Sequence, residues 1–206
     1  MYKNEANDPQ STMYIVSGRG VGKTSLLNAL LGIKFNENID HSKLGITSAF
    51  YKSDNKEIII NELTDDDNFS YTNILKNQLE EIFLIIVVFS IDDEDSLEYA
   101  KSLILFIKSN LTYNLGLQIL LFGNKFDLKK NGTKIKVNQI EAEHYASKIE
   151  NCLYYELSCK TGFNIDILHR FLSDINESKI IDRDATIYEE SASLNNDNAS
   201  GSCTII

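Results

Sequence analysis

One proline and no tryptophan stand among 206 residues, and neither shortage marks a low-complexity or fibrous chain. Positive charge is also scarce: 20 Lys and Arg against 30 Asp and Glu leave a net charge of −10. That charge repels a phosphate backbone and argues against nonspecific binding of nucleic acid. No stretch approaches the roughly 20 apolar residues of a membrane span. The longest, Ile82–Phe89, has the length of a strand. The opening MYKNEANDPQST is polar, so no signal peptide is expected. Three cysteines, Cys152, Cys159 and Cys203, form neither a metal-ligand spacing nor an even disulfide set. A reducing, cytosolic setting fits them. The remaining composition, 43% apolar and 24% charged, suits one ordinary domain with room for terminal extensions.

Short apolar runs alternate with segments of helical period. Met13–Val16 reads as a strand, Thr24–Leu31 as a helix, and Gly32 to Lys43 as a polar loop. Ile46–Lys52 and Glu57–Asn61 flank the turn Ser53-Asp54-Asn55-Lys56 and read as a hairpin. Ile82–Phe89 is apolar without a break, as a strand buried on both faces should be. Leu97, Ala100, Leu103, Ile104 and Ile107 then recur at helical spacing. Ile119–Phe122 is the next strand. Asn138 through Lys148 is a helix, with Asn138 and Glu141 placed like a capping box. After a last strand, Leu153–Leu157, the residues Ile167, Leu168, Phe171, Leu172 and Ile175 form one apolar helix face. The alternation implies an α/β fold: a mostly parallel sheet with helices on both faces. Residues 1–12 read as a flexible N-terminus, 13–176 as the folded domain, and 177–206 as a disordered tail rich in Ser, Asn, Asp and Glu.

The first strand runs into Ser17-Gly18-Arg19-Gly20-Val21-Gly22-Lys23-Thr24 and then into a helix. Glycines let a backbone curl until successive N–H groups point at phosphate oxygens. Lys23 would reach β- and γ-phosphates, Thr24 would ligate Mg²⁺, and the helix N-terminus favours negative charge. The pattern G-x-x-x-x-G-K-[ST] is met except at its first glycine, where Ser17 predicts a turn under some strain.

The fifth strand ends in Gly123-Asn124-Lys125-Phe126-Asp127. A carboxylate at Asp127 can accept from both N1–H and the exocyclic amine of guanine, a pair that adenine lacks. The stem of Lys125 can cover the base. The sixth strand ends in Ser158-Cys159-Lys160, whose backbone N–H could bind the guanine oxygen. N-K-x-D and an S-A-K-like triplet at strand ends, behind a phosphate loop, resemble the Ras superfamily of small GTPases. The resemblance spans about residues 13–176 and implies a P-loop G domain with a six-stranded sheet, binding GTP and GDP with Mg²⁺. It implies nucleotide contacts from Gly18, Arg19, Gly20, Val21, Gly22, Lys23, Thr24, Ser25, Asn124, Lys125, Asp127, Ser158, Cys159 and Lys160. Phe35, twelve residues after Lys23, matches the aromatic that packs on guanine in that family. The subfamily stays open. Phe89 to Glu98 is similar to the Rho branch, without its inserted helix. Leu26 to Gly32 resembles bacterial Era-type GTPases, and the C-terminus suits Ras or Rho better than Rab.

The departures fall on the switches. Where the family carries D-x-x-G-Q, this chain has Glu62-Leu63-Thr64-Asp65-Asp66, aligned through Phe69. Glu62 then replaces the aspartate of the Mg²⁺ shell, Asp65 the glycine at the γ-phosphate, and Asp66 the glutamine that positions the attacking water. A carboxylate about 5 Å from one phosphate charge repels it by roughly 3 kcal/mol at an effective dielectric near 20. Unrelieved, that lowers GTP affinity on the order of a hundredfold relative to GDP. Arg19, in the phosphate loop, could pair with Asp65 or Asp66 or act as an arginine finger in cis; blocking a finger in trans is the preferred reading. The Mg²⁺-binding threonine of switch I falls on Ser42 by counting from Lys23 and on Lys43 by its neighbours, and Ser42 is the better fit. Asp66 and Arg19 are thus the candidate catalytic residues, and Thr24, Ser42 and Glu62 the candidate metal residues.

The chain ends Cys203-Thr204-Ile205-Ile206, a prenylation box. The tail before it carries Glu189, Glu190 and Asp197 and no basic cluster, so one lipid would hold it only reversibly. The expectation is a cytoplasmic protein attached peripherally to the cytosolic face of a membrane. It would meet regulators and effectors through residues near 36–48 and 62–78. Hydrolysis is expected to be weak, and a pseudo-GTPase presenting a fixed surface is the alternative. His41, His144 and His169 show no ligand or triad arrangement.

Overall fold

A computed structural model describes residues 11–39, 45–53, 56–64, 82–110, 116–132 and 134–174. The chain divides into two units, Met1–Asn176 and Glu177–Ile206, and the described residues all fall in the first. Ser42, Lys43, Asp65, Asp66, Asp67, Ile175, the tail and Cys203 lie outside them.

Ile82–Ser90, here β4, shows why the chain folds as it does. Its side chains alternate: Ile85, Val87 and Phe89 join one apolar cluster, while Leu84, Ile86 and Val88 join the other. A strand apolar on both faces must be covered on both. Its neighbours are β1 (Ser11–Val16) and β5 (Gln118–Asn124), followed outward by β3 (Lys56–Thr64) and β2 (Gly45–Ser53) on one side and β6 (Cys152–Glu156) on the other. The order is β2-β3-β1-β4-β5-β6, with only β2 antiparallel, against β3. Helices α1 (Lys23–Leu30) and α4 (Ile165–Asp174) cover one face through Leu26, Leu27, Leu30, Leu168, Phe171 and Leu172. Helices α2 (Glu94–Asn110) and α3 (Gln139–Ser147) cover the other through Leu97, Ala100, Ile104, Ile107, Ala142 and Ala146. Each large apolar side chain so buried contributes about 1.5–3 kcal/mol of transfer free energy.

The pairing of Ser53 with Lys56 agrees with the expected turn Ser53-Asp54-Asn55-Lys56, whose middle residues lie outside those described, and each strand runs one residue further towards it than expected. Two local expectations change. Asn138 caps α3 by accepting from the N–H of Ile140 at 3.0 Å, but no capping box forms. The carboxylate of Glu141 instead accepts from Lys101 of α2 at 2.6 Å, a charged donor that wins over a backbone N–H. In α4 the buried face starts two residues earlier than expected, with Ile165, and Ile167 is only half-buried.

The chain leaves β1 towards β3 on one side and later crosses to β4 on the other. The connections that leave the paired C-terminal ends of β1 and β4 therefore run to helices on opposite faces, α1 and α2, and a crevice opens at this reversal of strand order.

Candidate nucleotide site

The loop between β1 and α1 fills that crevice. Gly20 (φ 75°) and Gly22 (φ 100°) take left-handed backbone, which turns the chain sharply before the helix. Gly22 is the N-cap of α1, so no side chain satisfies the first amides, and the first turn carries no acidic residue. An α-helix that starts this way presents orphan N–H groups and positive potential to an anion. Lys23 folds back over the loop, donating to the carbonyl of Gly18 at 2.7 Å and of Ser17 at 3.3 Å. Ser17 is fully buried, is not among the positive-φ residues, and donates its hydroxyl to the Gly18 carbonyl at 3.2 Å. The strain expected from its replacing glycine is absent, because this position never needs the left-handed region.

A cavity of about 1370 Å³ opens above the loop. It is lined by Arg19, Gly20, Gly22, Lys23, Thr24, Ser25, Phe35, Glu62, Asn124, Lys125, Asp127, Cys159 and Lys160 of the expected residues. Gly18, Val21 and Ser158 are not on its wall. Val21 and Ser158 are buried behind it and act through others. Asn124 spans from one loop to the next, donating its Nδ2 to the Val21 carbonyl at 2.8 Å while its Oδ1 accepts from the Cys159 N–H at 3.2 Å. The Ser158 hydroxyl donates to Oδ1 of Asp127 at 2.6 Å. A carboxylate has about four acceptor sites, so this bond fixes the group and leaves it able to accept more. Lys125 stands in left-handed backbone, φ 72°, with its ammonium 3.4 Å from Asp92. Burial pushes the Asp92 carboxyl up, but the Ser90 hydroxyl and the Lys125 ammonium outweigh it and hold the pKa below the ordinary value.

On the phosphate side, Thr24 Oγ1 donates to Oε1 of Glu62 at 2.5 Å, and Glu62 is only 2% exposed. A hydroxyl and a carboxylate brought together beside a phosphate loop are hard oxygen donors of the kind Mg²⁺ takes, with waters and phosphate completing its shell. The residues therefore fit the ion. Among the described residues no group of three or more His, Cys, Asp or Glu forms a cluster for a metal.

Glu37, Thr47 and Asp92 were not singled out by the sequence. Thr47 pairs with Glu62 across the β2–β3 ladder and lines the cavity, as does Glu37. The hairpin register, which a two-residue connection sets, is the signal that would have found Thr47. Cys152 and Cys159 are free and buried, and burial pushes both thiols up to about 12. His169 does hold a partner, its Nδ1 lying 2.9 Å from the Tyr51 hydroxyl.

Sheet order, phosphate loop and the two loops beside it define a P-loop nucleotide-binding domain of the α/β class. The model of the Ras family matches residues 12–177, and the chain belongs to that family. It is a GTP-binding small GTPase by that membership; family members bind GTP and GDP, generally with Mg²⁺, and generally meet regulators and effectors. A search of curated proteins finds no match to the chain.

Proposed function

We propose that this protein is a guanine-nucleotide switch whose hydrolysis is weak and whose equilibrium favours the GDP-bound form. The observation that carries the reading is an asymmetry along the cavity. The base end has a fixed carboxylate, Asp127 on Ser158, and a loop-to-loop tie through Asn124. At the other end, Glu62 touches Thr24, and the sequence continues into Asp65, Asp66 and Asp67 where the family has glycine and glutamine. Lys23, Thr24 and Asp127 carry binding most directly, with Ser25 at the α-phosphate. Thr24 and Glu62 would hold Mg²⁺, with Ser42 a further candidate, and the ion would neutralise phosphate charge when bound. Arg19 stands on the cavity wall, where it would obstruct an arginine supplied by a regulator. A prenyl group on Cys203 would attach the protein reversibly to a membrane, with regulators and effectors meeting residues near 36–48 and 62–78.

Titration of fluorescent GDP and of a non-hydrolysable GTP analogue, with Mg²⁺, tests this reading. The wild type should bind GDP on the order of a hundredfold more tightly, and Asp65→Gly/Asp66→Gln should recover GTP affinity. Equal affinities in both proteins would sink the acidic-switch reading. Equal partner binding with either nucleotide would make the protein a fixed binding module instead.

A further inference from the structure

Two loops face each other across the base end of the cavity. One follows α1 and carries Phe35 and Glu37; the other follows β6 and carries Cys159 and Lys160. Each is fixed on its own side. Oδ1 of Asn36 accepts from the N–H of Asn38 at 2.9 Å, a tight side-chain turn around Glu37. The Ser158 hydroxyl accepts from the N–H of Thr161 at 3.2 Å, and the Gly162 N–H reaches the Ser158 carbonyl at 2.9 Å. Between these anchored loops, Lys160 Nζ donates to Oε1 of Glu37 at 2.6 Å and lies 5.9 Å from the centre of the Phe35 ring.

We propose that Glu37 is a retention residue for the nucleotide: with Lys160 and Phe35 it forms an ionic clasp over the base end, and the clasp slows release. The inference rests on the guanine-binding reading of this cavity and adds to it a residue outside every motif of the site. Lys160 and Glu37 are 51% and 69% exposed, so the pair sits at the rim, where salt reaches it. Their hydrogen bond and mutual attraction hold the Glu37 carboxyl below and the Lys160 ammonium above their ordinary values. An exposed pair adds little to folding stability. This one joins segments 123 residues apart on opposite walls of one cavity, so its opening is coupled to passage of the base and acts on a rate. Lys160 and Asp127 line the same cavity, so losing Glu37 frees the ammonium while the lysine itself stays at the base end.

The test is displacement of fluorescently labelled GDP by excess unlabelled GDP from wild type, Glu37→Gln and Glu37→Lys, at low and high salt. At low salt, Glu37→Gln should release nucleotide about two- to fivefold faster than wild type, the range an exposed pair can supply. Glu37→Lys, which sets like charges against each other, should be faster still. At high salt the three rates should converge, because screening removes what distinguishes them. A merely structural role for Glu37 would not produce that convergence. Equal rates at low salt, or a Glu37→Gln effect that persists at high salt, overturns the clasp while leaving the nucleotide reading intact. A wild type that retains no labelled GDP at either salt overturns that reading and the clasp with it.

Discussion

At Gly22 the backbone stands at φ 100°, and a Cβ built there would lie 2.3 Å from Nδ2 of Asn124. Alanine at this position meets two penalties. Left-handed backbone costs an ordinary L-residue about 1–2 kcal/mol. Displacing Asn124 also weakens its buried bonds to the Val21 carbonyl and the Cys159 N–H, at about 1 kcal/mol each. Gly22→Ala should therefore lose about 3–4 kcal/mol in urea unfolding, and labelled-GDP binding should fall with it as the two loops come apart. Gly20 is the control, because at φ 75° a Cβ there meets nothing within 4 Å. Gly20→Ala should cost only the backbone part, about 1–2 kcal/mol. Equal losses in the two variants would show that Asn124 is not the link. The glycines, Lys23 and Asp127 were legible in the sequence because a motif fixes both their identity and their spacing. Ser17 was legible as a departure but not as a harmless one, since its negative φ is a property of the turn and not of the pattern.

Between elements, legibility follows how local the cause is. The strand β4 could be read outright, since burial on both faces leaves an unbroken apolar run. The helix α3 was found, but its expected capping box was not, because the competing partner, Lys101, belongs to a helix 40 residues away in sequence. The same blindness applies to Lys129, which follows Asp127 in the 3₁₀ segment Phe126–Asn131. Its ammonium donates to Oε2 of Glu156 at 2.6 Å, while the Tyr154 hydroxyl donates to Oε1 at 3.2 Å, so β6 holds the base-reading loop. Glu156 is 8% exposed at its side chain and Lys129 28%. Removing the lysine strands a nearly buried carboxylate, and Lys129→Met should destabilise by about 2–3 kcal/mol, less than for a fully buried pair. Lys129→Met/Glu156→Gln should recover most of that loss, since no charge is then left unpaired and the amide oxygen can still accept from the Tyr154 hydroxyl. A double-mutant cycle by urea unfolding reads the coupling, and a coupling near zero would reduce the pair to an ordinary surface contact.

For the molecule as a whole, alternating segments fixed the fold class, whereas the order β2-β3-β1-β4-β5-β6 depends on which side each crossover takes, and periodicity carries no record of that. The same two-sided sheet gives the protein a built-in sensitivity to alkali. Cys152 is buried in the cluster under α2 and α3, and Cys159 in the cluster under α1 and α4, so each core holds one thiol. Burial favours the neutral thiol and pushes both up to about 12, from an ordinary value of 9.0. The sign follows from linkage: between those values the folded chain holds protons that the unfolded chain has released. The stability the thiols contribute is complete below about pH 9 and is lost as pH rises towards 12. Each thiol should remove about 1.4 kcal/mol by pH 10, together about 3 kcal/mol, a large share of the stability of a domain this size. Thermal unfolding at pH 8, 9 and 10 should show Tm falling steeply above pH 9 in the wild type. The fall should be much shallower in Cys152→Ala/Cys159→Ala, whatever that variant's Tm at pH 8. Parallel curves would mean that the thiols ionise as easily in the folded chain as in the unfolded one, and that the two cores are open to water where these side chains lie.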